Sequence, residues 1–149
     1  MKLGSLDVAD RKLILEGANI FRSLCASCHG SDGKGLASKI APPLVGDFRS
    51  LIRQKDTTIM ILLHGLTGPV DGKTYPVDMP SMGSNNDQWI ASVLSYVRYD
   101  LGITNRSNPM SPEFLSRIMV KPDEVKKIRA QTAERSKPWT RVELEKVGK

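Results

Sequence analysis

Cys25 and Cys28 stand three positions apart and His29 follows directly, giving Cys25-Ala26-Ser27-Cys28-His29 in a chain with two cysteines and two histidines in all. On a turn of helix this order lets each thiol add to one vinyl group of a haem, with the adjoining imidazole under the iron as an axial ligand. Three other uses compete for the same side chains. A disulfide between Cys25 and Cys28 would close a very short loop and contribute little to stability. A thioredoxin-like redox pair belongs in a βαβ surround, whereas both flanks here read as helix. A zinc site needs four ligands, so Cys25, Cys28, His29 and His64 would all have to serve. Covalent haem is the reading that the order and spacing favour.

The elements that position this run follow from hydrophobic spacing. Ile14, Ala18, Phe21 and Cys25 repeat at i, i+4, i+7 and i+11, and Leu13, Gly17, Ile20 and Leu24 repeat one residue earlier, which predicts a helix with a broad apolar face. Asp7 or Asp10 can cap its start. Gly17 costs about 1 kcal/mol against Ala inside a helix, so its place there implies close approach of another helix. After His29, Gly30 to Gly35 reads as a loop but matches no phosphate-binding glycine pattern. Ile40-Ala41-Pro42-Pro43-Leu44-Val45-Gly46 runs extended, because each proline pushes its predecessor out of the helical region.

A second helix is predicted from Asp56 or Thr57 to His64, ended by Gly65; it is apolar nearly all round and therefore buried. Residues 65 to 85 are loop-like and hold Met79 and Met82. The closing helix opens at Ser84 or Asn86 and carries Ile90, Val93, Leu94, Val97 and Leu101 on one face, able to pack on the first helix at Gly17. Asn105 to Asn108 reads as a linker. Beyond it, Ser111-Pro112-Glu113, Pro122-Asp123-Glu124 and Thr140 with Glu143 look like helix starts. Two or three short basic helices with few large apolar residues are expected there, wrapping the core or a neighbouring domain.

Composition bounds the whole. A chain of 149 residues, 40% hydrophobic and 26% charged, describes one soluble globular unit, and the 5% aromatic share leaves a core that something else must help fill. The net charge of +6 would by itself hint at nucleic acid or an acidic surface, but residues 1–101 hold eleven basic and ten acidic side chains, against eleven and six in residues 102–149. The excess belongs to the tail. No stretch approaches the roughly eighteen consecutive apolar residues of a membrane span, and Met1 to Asp7 lacks the apolar segment of a secretion signal. A cytosolic protein, or a mature or excised segment without its targeting sequence, is expected on that ground.

Helix, C-x-x-C-H, proline-leucine turn, apolar helix, methionine loop and closing helix together resemble a class I c-type cytochrome over residues 7 to 101. Gly17 and Phe21 look like the glycine and aromatic with which that family's first helix crosses its last, and Tyr96 like the answering aromatic. Pro42 resembles the proline whose carbonyl accepts the ring N–H of the proximal histidine. Leu44 would then touch the haem edge. His64-Gly65-Leu66-Thr67-Gly68, Gly72-Lys73-Thr74-Tyr75 and Met79-Pro80-Ser81-Met82 are most similar to the cytochrome subunits and fused cytochrome domains of bacterial membrane-associated dehydrogenases. In that group the methionine directly before proline is the distal ligand, which implies Met79, with Met82 in a packing position. His64, near the end of an apolar helix, reads better as a core or C-cap histidine. Tyr75 is placed to donate to a haem propionate or to the sulfur, or else is a surface turn tyrosine.

The resemblance implies an all-α cytochrome c fold: residues 1–101 as a haem-binding domain and 102–149 as a basic helical extension packing on the core or on a neighbouring domain. It implies one haem c held through Cys25 and Cys28 and ligated by His29 and Met79, lined by Pro42, Leu44 and Tyr75. A single electron would pass from a dehydrogenase to an oxidase or another cytochrome, with no substrate chemistry and no nucleic acid involved. The implied setting is periplasmic or otherwise extracytoplasmic, with any membrane association through a partner, as a monomer or a domain of a larger chain. The rival reading is a haem sensor or peroxidase whose methionine leaves the iron. A third makes the basic tail a docking arm for an acidic partner.

Overall fold

The computed structural model describes residues 3, 4, 6–45, 53–103 and 111–147. Helix α1 (Val8–Ile20) is capped by Asp7, whose carboxylate accepts the Asp10 N–H at 2.8 Å, and buries Leu13, Ile14, Gly17 and Ala18. The chain then widens into a π turn (Phe21–Cys25), in which the Ala26 N–H donates to the Phe21 carbonyl five residues back, and closes as α2 (Ala26–His29). This wider turn breaks the 3.6-residue stripe expected from the sequence. Leu24, read there as part of the apolar face, is 44% exposed and borders the cavity that Cys25 and Cys28 also line.

Helix α3 (Lys55–His64) buries Thr57, Thr58, Ile59, Met60 and Leu63 and ends at Gly65, as its apolar composition predicts. Helix α4 (Asp87–Tyr96) opens on Asn86, whose side chain accepts the Trp89 N–H at 2.8 Å, and runs on as a second π segment (Val97–Ile103). The α1–α4 crossing sits at Gly17. A Cβ there would fall onto the Ser92 carbonyl and 2.8 Å from Tyr96 Cβ, so only glycine lets the two backbones meet. Phe21 and Tyr96 close the crossing, with ring centroids 5.5 Å apart and planes tilted by 53°.

The linker expected at Asn105 to Asn108 lies outside the described residues. Beyond it α5 (Pro112–Ile118), α6 (Pro122–Gln131) and α7 (Arg141–Val147) start at the signals read from the sequence. Ser111 Oγ accepts the Phe114 N–H at 3.2 Å, and the Glu124 carboxylate accepts the Lys121 N–H at 3.0 Å. At the last start, the Glu143 carboxylate accepts the Thr140 N–H at 3.1 Å and Thr140 Oγ1 accepts the Glu143 N–H at 3.2 Å.

Few as they are, most of the tail's large apolar residues join the main core: Ile118, Met119, Val120, Val125, Ile128 and Leu144 are all buried in the same cluster as α1 and α4, while Val142 and Val147 stay exposed. Ser95 Oγ donates to the Val120 carbonyl and accepts the Val120 N–H, both at 2.9 Å. Arg98, buried, donates to the carbonyls of Ile118 at 2.8 Å and Arg117 at 3.1 Å. A short parallel pair joins β1 (Leu66–Thr67) to β2 (Trp139–Thr140), with Leu66 opposite Trp139. Four tail cations meet carboxylates of the same chain: Lys121 with Asp10, Arg129 with Asp87, Arg135 with Glu143 and Arg141 with Asp71. Among the described residues no helix is long and apolar enough to cross a membrane.

Candidate functional site

The π turn and α2 deliver Cys25, Cys28 and His29 to the floor of a cavity of about 310 Å³. Both thiols are free and half-buried. Burial, with Cys28 alongside, pushes the Cys25 thiol up to about 11, so it is protonated at neutral pH. That state is the opposite of what a thioredoxin-like pair requires, because such cysteines work as thiolates with depressed pKa. The zinc alternative also loses its fourth ligand. His64 does not line the cavity; its Nε2 lies 2.7 Å from Thr132 Oγ1, on the tail side of α3.

His29 is buried, and its Nδ1 lies 2.8 Å from the Pro42 carbonyl. A carbonyl can only accept, so the proton is on Nδ1 and the lone pair on Nε2. Burial lowers the His29 pKa, and the bond to Pro42 opposes that shift without reversing it. At neutral pH the ring is therefore an uncharged imidazole with a free lone pair, the form that ligates a metal. The loop between His29 and Pro42 is held by its own backbone: the Gly35 N–H donates to the His29 carbonyl at 2.7 Å, and the Leu44 N–H donates to the Gly33 carbonyl at 2.6 Å.

The remaining walls come from far along the chain. Helix α3 contributes Thr58, Ile61 and Leu62, α4 and its extension contribute Val93, Leu94 and Val97, and the methionine loop closes the remaining side. Met79 is half-buried there, and its N–H and carbonyl exchange hydrogen bonds with Leu66, each 3.0 Å long. Met82 also borders the cavity, its N–H donating to the Leu62 carbonyl at 2.7 Å.

Seven residues singled out from the sequence, Cys25, Cys28, His29, Pro42, Leu44, Tyr75 and Met79, line this one cavity. The reading missed Ile61, Leu62, Val70 and Val77 as wall residues. For the first two a signal existed, since a helix apolar all round must bury more than one face. Val70 and Val77 lie in an irregular loop, where no periodicity marks them.

A neutral imidazole nitrogen, a thioether sulfur and two thiols around an apolar space are the donor set that suits an iron porphyrin with two covalent links. The cavity would also account for the scarcity of aromatics, because a large planar apolar group between α1, α3 and α4 would do the work of several rings.

Comparison with known proteins agrees. The cytochrome c family matches residues 14–99. The fructose dehydrogenase cytochrome subunit of Gluconobacter japonicus is 31% identical over 93 residues, which cover 58% of this chain and 19% of that protein. The chain thus spans about a fifth of the length of that relative.

Proposed function

Since the chain belongs to the cytochrome c family, as a class I c-type cytochrome related to dehydrogenase cytochrome subunits, we propose that it carries single electrons on one haem c, whose iron His29 and Met79 would hold. Residues 1–101 form the haem-binding domain in this reading, and residues 102–149 an extension of it. Cys25 and Cys28 would hold the haem through thioether links, and its iron supplies a reversible one-electron couple. The likeness to a dehydrogenase cytochrome subunit supports a dehydrogenase as donor and an oxidase or second cytochrome as acceptor, in an extracytoplasmic compartment.

Each residue's task follows from its chemistry. Pro42, by accepting the Nδ1 proton of His29, keeps Nε2 as the ligating atom and fixes the plane of the ring. The apolar walls, Leu44 among them, exclude water, which holds the two oxidation states close in structure. Met79 offers a thioether, a soft ligand that favours ferrous iron and raises the reduction potential relative to a second imidazole. Tyr75 stands on the same wall with a phenol able to donate to a propionate or to the sulfur.

One observation carries this reading: a buried imidazole whose Nδ1–H is engaged by Pro42 faces a cavity that also holds Met79 and two free thiols. Mass spectrometry and visible spectra of protein matured in an exporting host test it. The expected result is one haem of added mass and, in the oxidised state, the weak red band of an iron–thioether bond. Colourless protein of unmodified mass overturns the haem, and coloured protein without that band overturns Met79.

A further inference from the structure

The loop that bears Met79 is gripped by the tail at three separated points. Upstream, the Trp139 N–H donates to the Gly65 carbonyl at 3.0 Å, and Trp139 lies opposite Leu66, whose other partner is Met79 itself. Gly65 passes so close to Met79 that a Cβ would come within 2.7 Å of the Met79 carbonyl. In the middle, Arg141 pairs with Asp71. Downstream, one guanidinium closes the loop: Arg129 donates to the Gly83 carbonyl at 2.7 Å, the Asn85 carbonyl at 2.8 Å and the Asp87 carboxylate at 2.9 Å.

The tail residues making these contacts are themselves braced. The Arg135 guanidinium lies 3.5 Å over the centre of the Trp139 ring, and His64 meets that ring edge-on at 6.2 Å. The buried indole Nε1 has no hydrogen-bond partner among the described residues, so the ring is held by packing rather than by its N–H. His64 also bonds Thr132, which ties the end of α3 to the same brace.

We propose that the C-terminal extension is a clamp on the distal ligand loop, with Arg129 and Trp139 as positioning residues that keep the Met79 sulfur on the iron. This rests on the His29/Met79 reading. Two hydrogen bonds join Met79 to β1, Ser81 Oγ donates to the Leu63 carbonyl at 2.6 Å and the Met82 N–H to the Leu62 carbonyl at 2.7 Å, and the tail adds its contacts at either end of this stretch, at Gly65 and Gly83. The equilibrium between attached and detached sulfur therefore depends on how firmly β1 and Gly83 are pinned. An arginine suits the downstream grip because the three nitrogens of its planar fork reach three acceptors set apart on Gly83, Asn85 and Asp87, whereas a lysine's donors all radiate from one atom.

Imidazole added to the oxidised holoprotein measures this equilibrium, because its apparent affinity scales with the fraction of molecules whose sixth position is free. Arg129→Gln and Trp139→Ala should each raise that affinity by roughly tenfold or more and weaken the red band. Trp139→Phe, which keeps a ring under Arg135, should stay near wild type, and Arg129→Lys should fall between. Glu124→Gln, which breaks the tail's 2.9 Å ion pair with Lys55 away from the loop, should leave imidazole binding unchanged.

Should Trp139→Ala yield no folded holoprotein, Arg129→Gln and Arg129→Lys carry the test. Wild-type affinity in the Arg129 variants, or an equal rise in Glu124→Gln, overturns the clamp while leaving Met79 in place. A wild-type protein without the red band overturns the ligand reading and the clamp with it.

Discussion

The two sides of α4 and the π segment that continues it are built on different principles. Toward the cavity it presents Val93, Leu94 and Val97, apolar side chains that need only the right size and spacing. Toward the tail it presents Ser95 and Arg98, buried polar groups satisfied one by one by the backbone of residues 117–120. The first surface tolerates exchange among apolar residues of similar volume, whereas in the second each lost partner leaves a buried donor or acceptor without compensation. The tail thus docks by specific hydrogen bonds around a small apolar core, and the cavity side by burial alone.

Removing both thiols breaks the cavity side most completely. Cys25→Ala with Cys28→Ala should abolish covalent haem, read as the unmodified mass after acid-acetone extraction, while tail contacts such as Ser95 to Val120 do not depend on the cysteines. Next comes the crossing on which both sides lean. Gly17→Ala drives a methyl group into the Ser92 carbonyl and should cost about 2 kcal/mol or more, a fall of roughly 4–8 °C in melting temperature. An unchanged melting temperature would mean that the helices can separate without penalty.

Ser95→Ala sharpens the contrast, since it strips the Val120 N–H and carbonyl of one partner without enlarging the cavity. Roughly 1–3 kcal/mol of stability should be lost to denaturant, with the haem still covalently attached. The smallest effect is electrostatic and confined to the tail. Hydrogen bonds from Arg135 and Thr140 hold the Glu143 carboxyl down at about 2, below its ordinary 4.5. A depressed carboxyl stabilises the fold fully above the ordinary value and loses that contribution as pH falls from about 4.5 toward about 2. Wild type and Glu143→Gln should therefore differ most in melting temperature above pH 4.5 and converge near pH 2; parallel curves would reject the assignment.

Much of the site was legible before any coordinates, for reasons particular to each residue. Cys25, Cys28 and His29 stand within one helical turn and line one cavity, so the chemistry proposed for them can be read from their spacing. Gly17 stood out because glycine inside a helix needs a cause, and the Ser92 carbonyl is that cause. Pro42 and Met79 came from resemblance instead, since nothing local says which carbonyl meets His29, and both Met79 and Met82 line the cavity. The π turn after Phe21 left no trace in the pattern, and it is there that Leu24, read as part of the helix's apolar face, comes to line the cavity beside Cys25 and Cys28.

The tail shows where such reading stops. Its helix starts were visible as proline and capping signals, but its attachment was not. Arg129 looks like any arginine on a basic helix, and Trp139 like any lone tryptophan, until the chain brings them to Gly83 and Gly65. Spacing along the chain by itself determined the Cys25–His29 run, the helices and the apolar face of the closing helix, because those features depend on neighbours a few residues away. Only the tertiary structure decided that the last third of the chain braces the methionine loop. Backbone carbonyls are the same at every position, so a side chain that recognises them across 46 residues leaves no mark in the order of amino acids.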